Sequence, residues 1–251
     1  MATRSHGRFK RYAARATALA LSAVVATGTG FAVLGGTASA ATAPAGAYAF
    51  NWGTSELRVG DSGREVEALQ ERLMELGYWI DSADGEFGGL TVQAVYAIQK
   101  AAGIDRDGIV GPDTRAALDD GVRPDPSSTS GNVVEIDLER QLLLVVSDGD
   151  VEQVFNTSTG SGETYESRGQ ESVAVTPTGE YTVFRGVDAW DPGPLGALYR
   201  PKYFNRGIAV HGYNSVPPYP ASHGCARVSI AAMDWLWDSG RLDNNSVVIV
   251  R

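Results

Sequence analysis

Ser222-His223-Gly224-Cys225-Ala226-Arg227, read together with His211-Gly212 upstream, decides how the rest of the chain is understood. Cys225 is the only cysteine, and of the three histidines only His211 and His223 lie beyond the first ten residues. A thiol is a useful nucleophile only as thiolate, which calls for a base within hydrogen-bond reach or positive charge nearby. Two imidazoles and the Arg227 guanidinium answer that need. A lone cysteine is more often a small buried hydrophobe, but such cysteines sit in apolar runs, whereas Ser222, His223 and Gly224 precede this one. In an extended segment residues two apart point the same way, so His223, Cys225 and Arg227 share a side.

Between the two histidines, Val216-Pro217-Pro218-Tyr219-Pro220 predicts a stiff loop over a cleft, with Tyr219 in reach of a substrate. After Cys225, Ser229 is placed to cap a helix over Ile230–Trp237, with Ile230, Met233 and Trp237 on one face and Gly240 as its stop. That helix is expected to brace Cys225 and to offer its first amides to the site. Upstream the pattern alternates. Val134, Ile136 and Leu138 face one way and Leu142–Val146 is a second apolar run, together a hairpin. Val151–Thr157, Gly179–Phe184, Ile208–Val210 and Val247–Val250 read as further strands, so residues 132–251 form a mostly β domain.

Residues 121–131, rich in Pro and Ser, read as a linker. Ahead of them, residues 56–120 show helical periodicity: Val66, Leu69, Leu73 and Leu76 share a face that stops at Gly77. An internal repeat follows. Asp84-Gly85-Glu86-Phe87-Gly88 with Thr91, Ala94 and Val95 recurs as Asp107-Gly108-Ile109-Val110-Gly111 with Thr114, Ala117 and Leu118. In each copy a glycine turn leads to a threonine expected to cap a helix with its hydroxyl. Asp105-Arg106-Asp107-Gly108 has the look of a calcium loop, but it lacks the closing glutamate and the spacing, so no metal site is expected.

Residues 1–40 read as an export signal: Arg4, Arg8, Lys10, Arg11 and Arg15, then an apolar run, then Ala38-Ser39-Ala40 as a cleavage site. Residues 41–55 are expected to be a flexible segment, and no membrane attachment is expected after cleavage. The formal net charge of −9 becomes more negative once the basic leader is gone, which excludes nucleic acid as a partner class. One cysteine forms no disulfide within the chain, so an exported protein that keeps it has a use for the thiol.

Two resemblances follow from these residues. Leu69-Gln70, Leu76-Gly77-Tyr78, the two Asp-Gly turns, Thr91, Ala94-Val95 and Gln99 resemble the helical peptidoglycan-binding module of wall enzymes. Val134-Glu135-Ile136-Asp137-Leu138 with Gln141-Leu142, Thr176-Pro177-Thr178-Gly179-Glu180-Tyr181, Val210-His211-Gly212 and Ser222-His223-Gly224-Cys225 resemble the L,D-transpeptidase (YkuD) catalytic domain. The implied architecture is α+β: a small three-helix domain, then a β-sandwich-like catalytic domain. The resemblance implies Cys225 as nucleophile, His211 as general base, and Gly212 as the residue whose carbonyl orients the imidazole. It further implies that Ser222, His223 and Gly224 shape the loop, that amides near Gly224 and Cys225 hold an oxyanion, and that Arg227 binds a substrate carboxylate.

The implied partners are peptidoglycan stem peptides, tetrapeptide donor and diamino-acid acceptor, with acylation by carbapenems, no cofactor, and a secreted, wall-associated location. Two departures stand out: Arg227 replaces the asparagine common in the family, and the gap from His211 to Ser222 is short. An L,D-carboxypeptidase would form the same thioester and pass it to water. A non-catalytic wall-binding protein is the reading from a different class.

Overall fold

The computed structural model describes residues 55–167 and 169–251. The expected export signal and nearly all of residues 41–55 lie outside them.

Among the described residues three helices come first: α1 (Arg64–Glu75), α2 (Gly89–Ala102) and α3 (Pro112–Asp119). α1 buries Val66, Leu69 and Leu73. It ends as glycine dictates: Gly77 adopts a φ of 79°, its N–H reaches Met74 O and that of Tyr78 reaches Leu73 O at 2.9 Å. The repeat in the sequence is a repeat of hydrogen bonds. Gln70 sends its amide nitrogen to Asp84 Oδ1, Glu86 O and Thr91 Oγ1, and accepts the Gly85 N–H. Gln99 does the same with Asp107 Oδ1, Ile109 O, Thr114 Oγ1 and the Gly108 N–H.

This corrects the expected caps. Gly88 and Gly111 occupy the N-cap positions without side-chain caps, while Thr91 and Thr114 lie inside the first turn and donate back to Glu86 O and Ile109 O. A buried glutamine amide needs acceptors, and these hydroxyls supply them. The two aspartates accept the N–H groups of Glu86 and Ile109, so their carboxylates close turns.

The remaining chain builds two five-stranded sheets and a two-stranded one. The first sheet holds β1 (Asn132–Asp137), β2 (Leu142–Ser147), β3 (Asp150–Asn156), β6 (Gly179–Thr182) and β12 (Val247–Val250) in the order β3-β2-β1-β12-β6. The second holds β7 (Arg185–Gly186), β8 (Trp190–Gly193), β9 (Gly196–Asn205), β10 (Ile208–Tyr213) and β11 (Ala226–Ser229), ordered β11-β10-β9-β7 with β8 paired to β9. β4 (Thr164–Ser167) and β5 (Gln170–Val173) pair with each other, and α4 (Ile230–Asp238) packs on β9, β10 and β11.

β2 explains its unbroken apolar run. Leu143 and Val145 enter a core with Val134, Ile136, Phe204, Val210, Val228, Met233 and Val248, from both sheets and α4. Leu142, Leu144 and Val146 enter a second core with Leu69, Leu73, Tyr78, Val95 and Ile98 of the helical module. A strand covered on both faces has no reason to alternate. The module's backbone also covers the β3 edge, with Trp79 N donating to Val154 O and Val154 N to Gly77 O at 2.8 Å. The stretch at 121–131 is tied down: Val122 O accepts from Tyr78 Oη, Arg123 reaches Val151 O, and the Ser127 and Ser128 N–H groups bond to the buried Glu135.

α4 is capped by Ser229 Oγ accepting the Ala232 N–H at 3.2 Å. Its buried face is Ala232, Met233 and Leu236; Trp237 is only half-buried, and its ring takes Lys202 Nζ at 3.6 Å. The helix begins after the four residues of β11, which span about 13 Å. The expectation that its first amides serve Cys225 is therefore not met.

Candidate active site

His211 lies on β10, directly opposite Arg227 of the parallel neighbour β11. On its other side β9 carries a bulge: Val210 pairs with Lys202 and Gly212 with Tyr199, so Arg200 and Pro201 together oppose His211. Arg200 holds a φ of 46° and is clamped there. Its Nε donates to Asp188 and its Nη1 to Asp234, each at 2.7 Å, and its carbonyl accepts Trp237 Nε1–H at 2.7 Å.

The His211 Nδ1 is 2.9 Å from Gly212 O. A carbonyl only accepts, so Nδ1 carries the proton and Nε2 keeps its lone pair. Gly212 is required by space: a Cβ there would meet Tyr199 Cδ1 at 2.8 Å and Met233 Cβ at 3.1 Å. With 2% of its surface exposed, His211 has its pKa lowered from 6.5 to about 4 by burial; the bond to Gly212 opposes the shift and the Arg227 charge adds to it.

Cys225 closes a turn that Ser222 organises. Ser222 Oγ accepts the Gly224 N–H at 3.0 Å and donates to Cys225 O at 2.6 Å. Gly224 has a φ of 132°, and a Cβ on it would lie 2.8 Å from Val175 O. Its carbonyl accepts from Thr176 Oγ1 at 2.7 Å, and that hydroxyl accepts the Gly160 N–H. The Gly224 amide, expected as an oxyanion donor, is thus committed to Ser222. The Cys225 N–H is engaged by no other group among the described residues. Cys225 is half-buried, and its Sγ–H points to Gly207 O at 3.8 Å rather than to His211. Burial pushes the thiol pKa up, while a backbone bond at Ala209 and the Arg227 charge pull it down.

These groups line one cavity of about 680 Å³ that includes His211, Ser222, His223, Cys225 and Arg227. Arg227 stacks 4.3 Å over the Tyr213 ring and donates Nη1 to Ala221 O, so part of its donor fork is spent on the loop. Tyr219 does not line the cavity. It is 61% exposed, and its loop packs toward the helical module, where Gln93 donates to Val216 O and Arg106 to Pro218 O. Burial of Val216 turns the loop away. The walls come instead from the β4–β5 and β8–β9 hairpins, with Tyr165 set edge-on to His223 at 4.7 Å. Tyr203 and Arg185 meet on Asp191 Oδ2, each at 2.8 Å. Sequence reasoning missed these walls because short, half-exposed strands leave no apolar period to read. Thr176 stood in a motif, but only the fold brings it to the turn.

Residues 62–118 match the family described as "Putative peptidoglycan binding domain", and residues 131–250 match the L,D-transpeptidase catalytic domain. The solved L,D-transpeptidase of Xylanimonas cellulosilytica is 53% identical with a TM-score of 0.77, over 79% of this chain and 98% of that one. An uncharacterized Kitasatospora aureofaciens protein is 44% identical over 108 residues, 41% of this chain and 87% of its own length. The N-acetylmuramoyl-L-alanine amidase CwlL of Bacillus licheniformis is 52% identical over 64 residues, 25% of this chain, which spans only 18% of that protein. With a catalytic-domain match over its second half and a solved relative matched nearly end to end, the chain belongs to the L,D-transpeptidase family.

Proposed function

We propose that the protein is an exported, wall-associated L,D-transpeptidase that joins peptidoglycan stem peptides through a thioester on Cys225. The observation that carries this reading is the His211 geometry: Nδ1–H is held by Gly212 O, which leaves Nε2 as a base in the cavity that holds the thiol. Both groups rest neutral, because burial raises the thiol pKa and lowers that of the imidazole. The thiolate is made at the moment of attack. His211 Nε2 takes the thiol proton as sulfur adds to the carbonyl of the stem's third residue. The Cys225 N–H supports the oxyanion. The C–N bond then breaks, and D-alanine leaves with the proton from His211. The side-chain amine of a second stem adds to the thioester, loses a proton to His211, and expels the sulfur.

Arg227 serves this scheme through its charge beside both groups as well as by meeting a substrate carboxylate. The peptidoglycan-binding match supports a wall location. The test is mass spectrometry of the protein with a disaccharide-tetrapeptide, with and without Cys225→Ser. A cysteine-dependent dimer lacking one D-alanine is expected. A tripeptide product in its place shows the carboxypeptidase reaction, and a chain that neither turns over nor takes a carbapenem adduct on Cys225 is a binding protein.

A further inference from the structure

Lys100 of α2 is 1% exposed, and its ammonium reaches across into the catalytic domain. Nζ donates to Gln141 O at 2.8 Å and Thr157 O at 3.0 Å, and to Asn156 Oδ1. Three donors meet three oxygens, and no carboxylate is among them. Burial, with the Arg106 charge behind it, pulls the lysine pKa down to about 6; the three acceptors oppose that pull by favouring the ammonium. A buried lysine without a counter-ion is a costly way to attach a docking module.

The segment it grips holds the cysteine turn. Thr157 Oγ1 donates to Arg227 O at 2.8 Å, and Ser158 exchanges backbone bonds with Arg227 at 3.2 and 3.0 Å. Thr159 O accepts the N–H groups of Ala221 and Ser222 at 3.0 and 2.9 Å, and Thr159 is itself held by the Gln141 side chain. Gln93, seven residues earlier on the same face of α2, joins the same network: its Oε1 accepts from Asn156 Nδ2 at 2.6 Å, and both side chains donate to Val216 O.

We infer that Lys100, with Gln93 beside it, is a positioning residue for the catalytic site, fixing the strap at residues 156–159 from which Ser222 and Arg227 hang. The peptidoglycan-binding module is then a part of the catalyst and not only its anchor. This rests on Cys225 being the reactive group. The test is alkylation of Cys225 by iodoacetamide across pH, followed by mass spectrometry of the full chain, for wild type, Lys100→Met and Gln93→Ala, each checked for folding by circular dichroism.

The charged and titratable groups that line the cavity with the thiol include His211 from β10, Arg227 from β11, Tyr203 from β9, Arg185 from β7, Asp191 from β8, and His223 and Arg206 from the loops. With Arg227 displaced, Lys100→Met is expected to slow alkylation about tenfold or more and to move the pH midpoint upward, with Gln93→Ala shifting both the same way by less. A folded Lys100→Met indistinguishable from wild type in rate and midpoint overturns the inference. If Lys100→Met does not fold, an unchanged Gln93→Ala overturns it. Alkylation reads the thiol and not stem-peptide turnover, so a wild type that alkylates normally but makes no peptidoglycan product sinks the proposed function separately.

Discussion

Buried His211 is an imidazole that resists its second proton, and that has two measurable consequences. The proposed mechanism needs the neutral imidazole, so acylation by a stem peptide or carbapenem is expected to hold as pH falls through 6.5 and to drop only near pH 4. An acid limb at the ordinary histidine value in kcat/KM would contradict the buried, Gly212-held geometry. Folding responds with the same sign. Between pH 6.5 and about 4 the unfolded chain takes up a proton that the folded chain rejects. Stability from this residue is therefore full above 6.5 and declines below it, by roughly 3 kcal/mol in all. Urea titrations of wild type and His211→Asn across that window read the difference. Thr176 acts on the other partner. Thr176→Val strands the Gly224 carbonyl and the Gly160 N–H, at about 2 kcal/mol, and is expected to lower the melting temperature together with the acylation rate.

At the scale of elements, the β9 bulge is the device that aims His211. Arg200→Ala removes the clamp on Asp188, Asp234 and Trp237, and is expected to reduce kcat about tenfold with KM little changed. Steady-state kinetics on a folded variant checks it. The same bulge explains what could be read in advance and what could not. Hairpin β1–β2, helix α4 with its Ser229 cap, and the final strand follow from period and capping, which are local properties. The ten-residue β9 was invisible because Arg200-Pro201-Lys202 breaks any alternation, and only Asp188, Asp234 and Asp243 from distant positions make those residues acceptable there. Thr91 and Thr114 were misjudged for a related reason: their hydroxyls answer Gln70 and Gln99, which the sequence places a helix away. Cys225 and the two imidazoles stood out because the chemistry of a thiol restricts its neighbours, whereas Gly212 entered only through the family resemblance. Tyr219 was not, since nothing local says which side of its loop meets the module.

At the scale of the molecule, the helical module and the first sheet share one of the two apolar cores. Leu142, Leu144, Val146, Val151 and Val154 are buried against helical-module residues, so residues 121–251 alone would expose a contiguous apolar sheet face. That fragment is expected to aggregate or stay unfolded, whereas the whole chain melts in a single transition; circular dichroism of both distinguishes this from two independent domains. The position of β12 carries a further consequence. It pairs in parallel with β1 on one side and antiparallel with β6 on the other, so a strand that follows Cys225 in the chain lies at the interior of the first sheet. A growing chain cannot close that sheet, bury the core beneath β10, or assemble His211 and Cys225 into one cavity until Val250 has been made. The thiol is thereby timed: it stays an ordinary, unassembled side chain until a strand that follows it in sequence is in place.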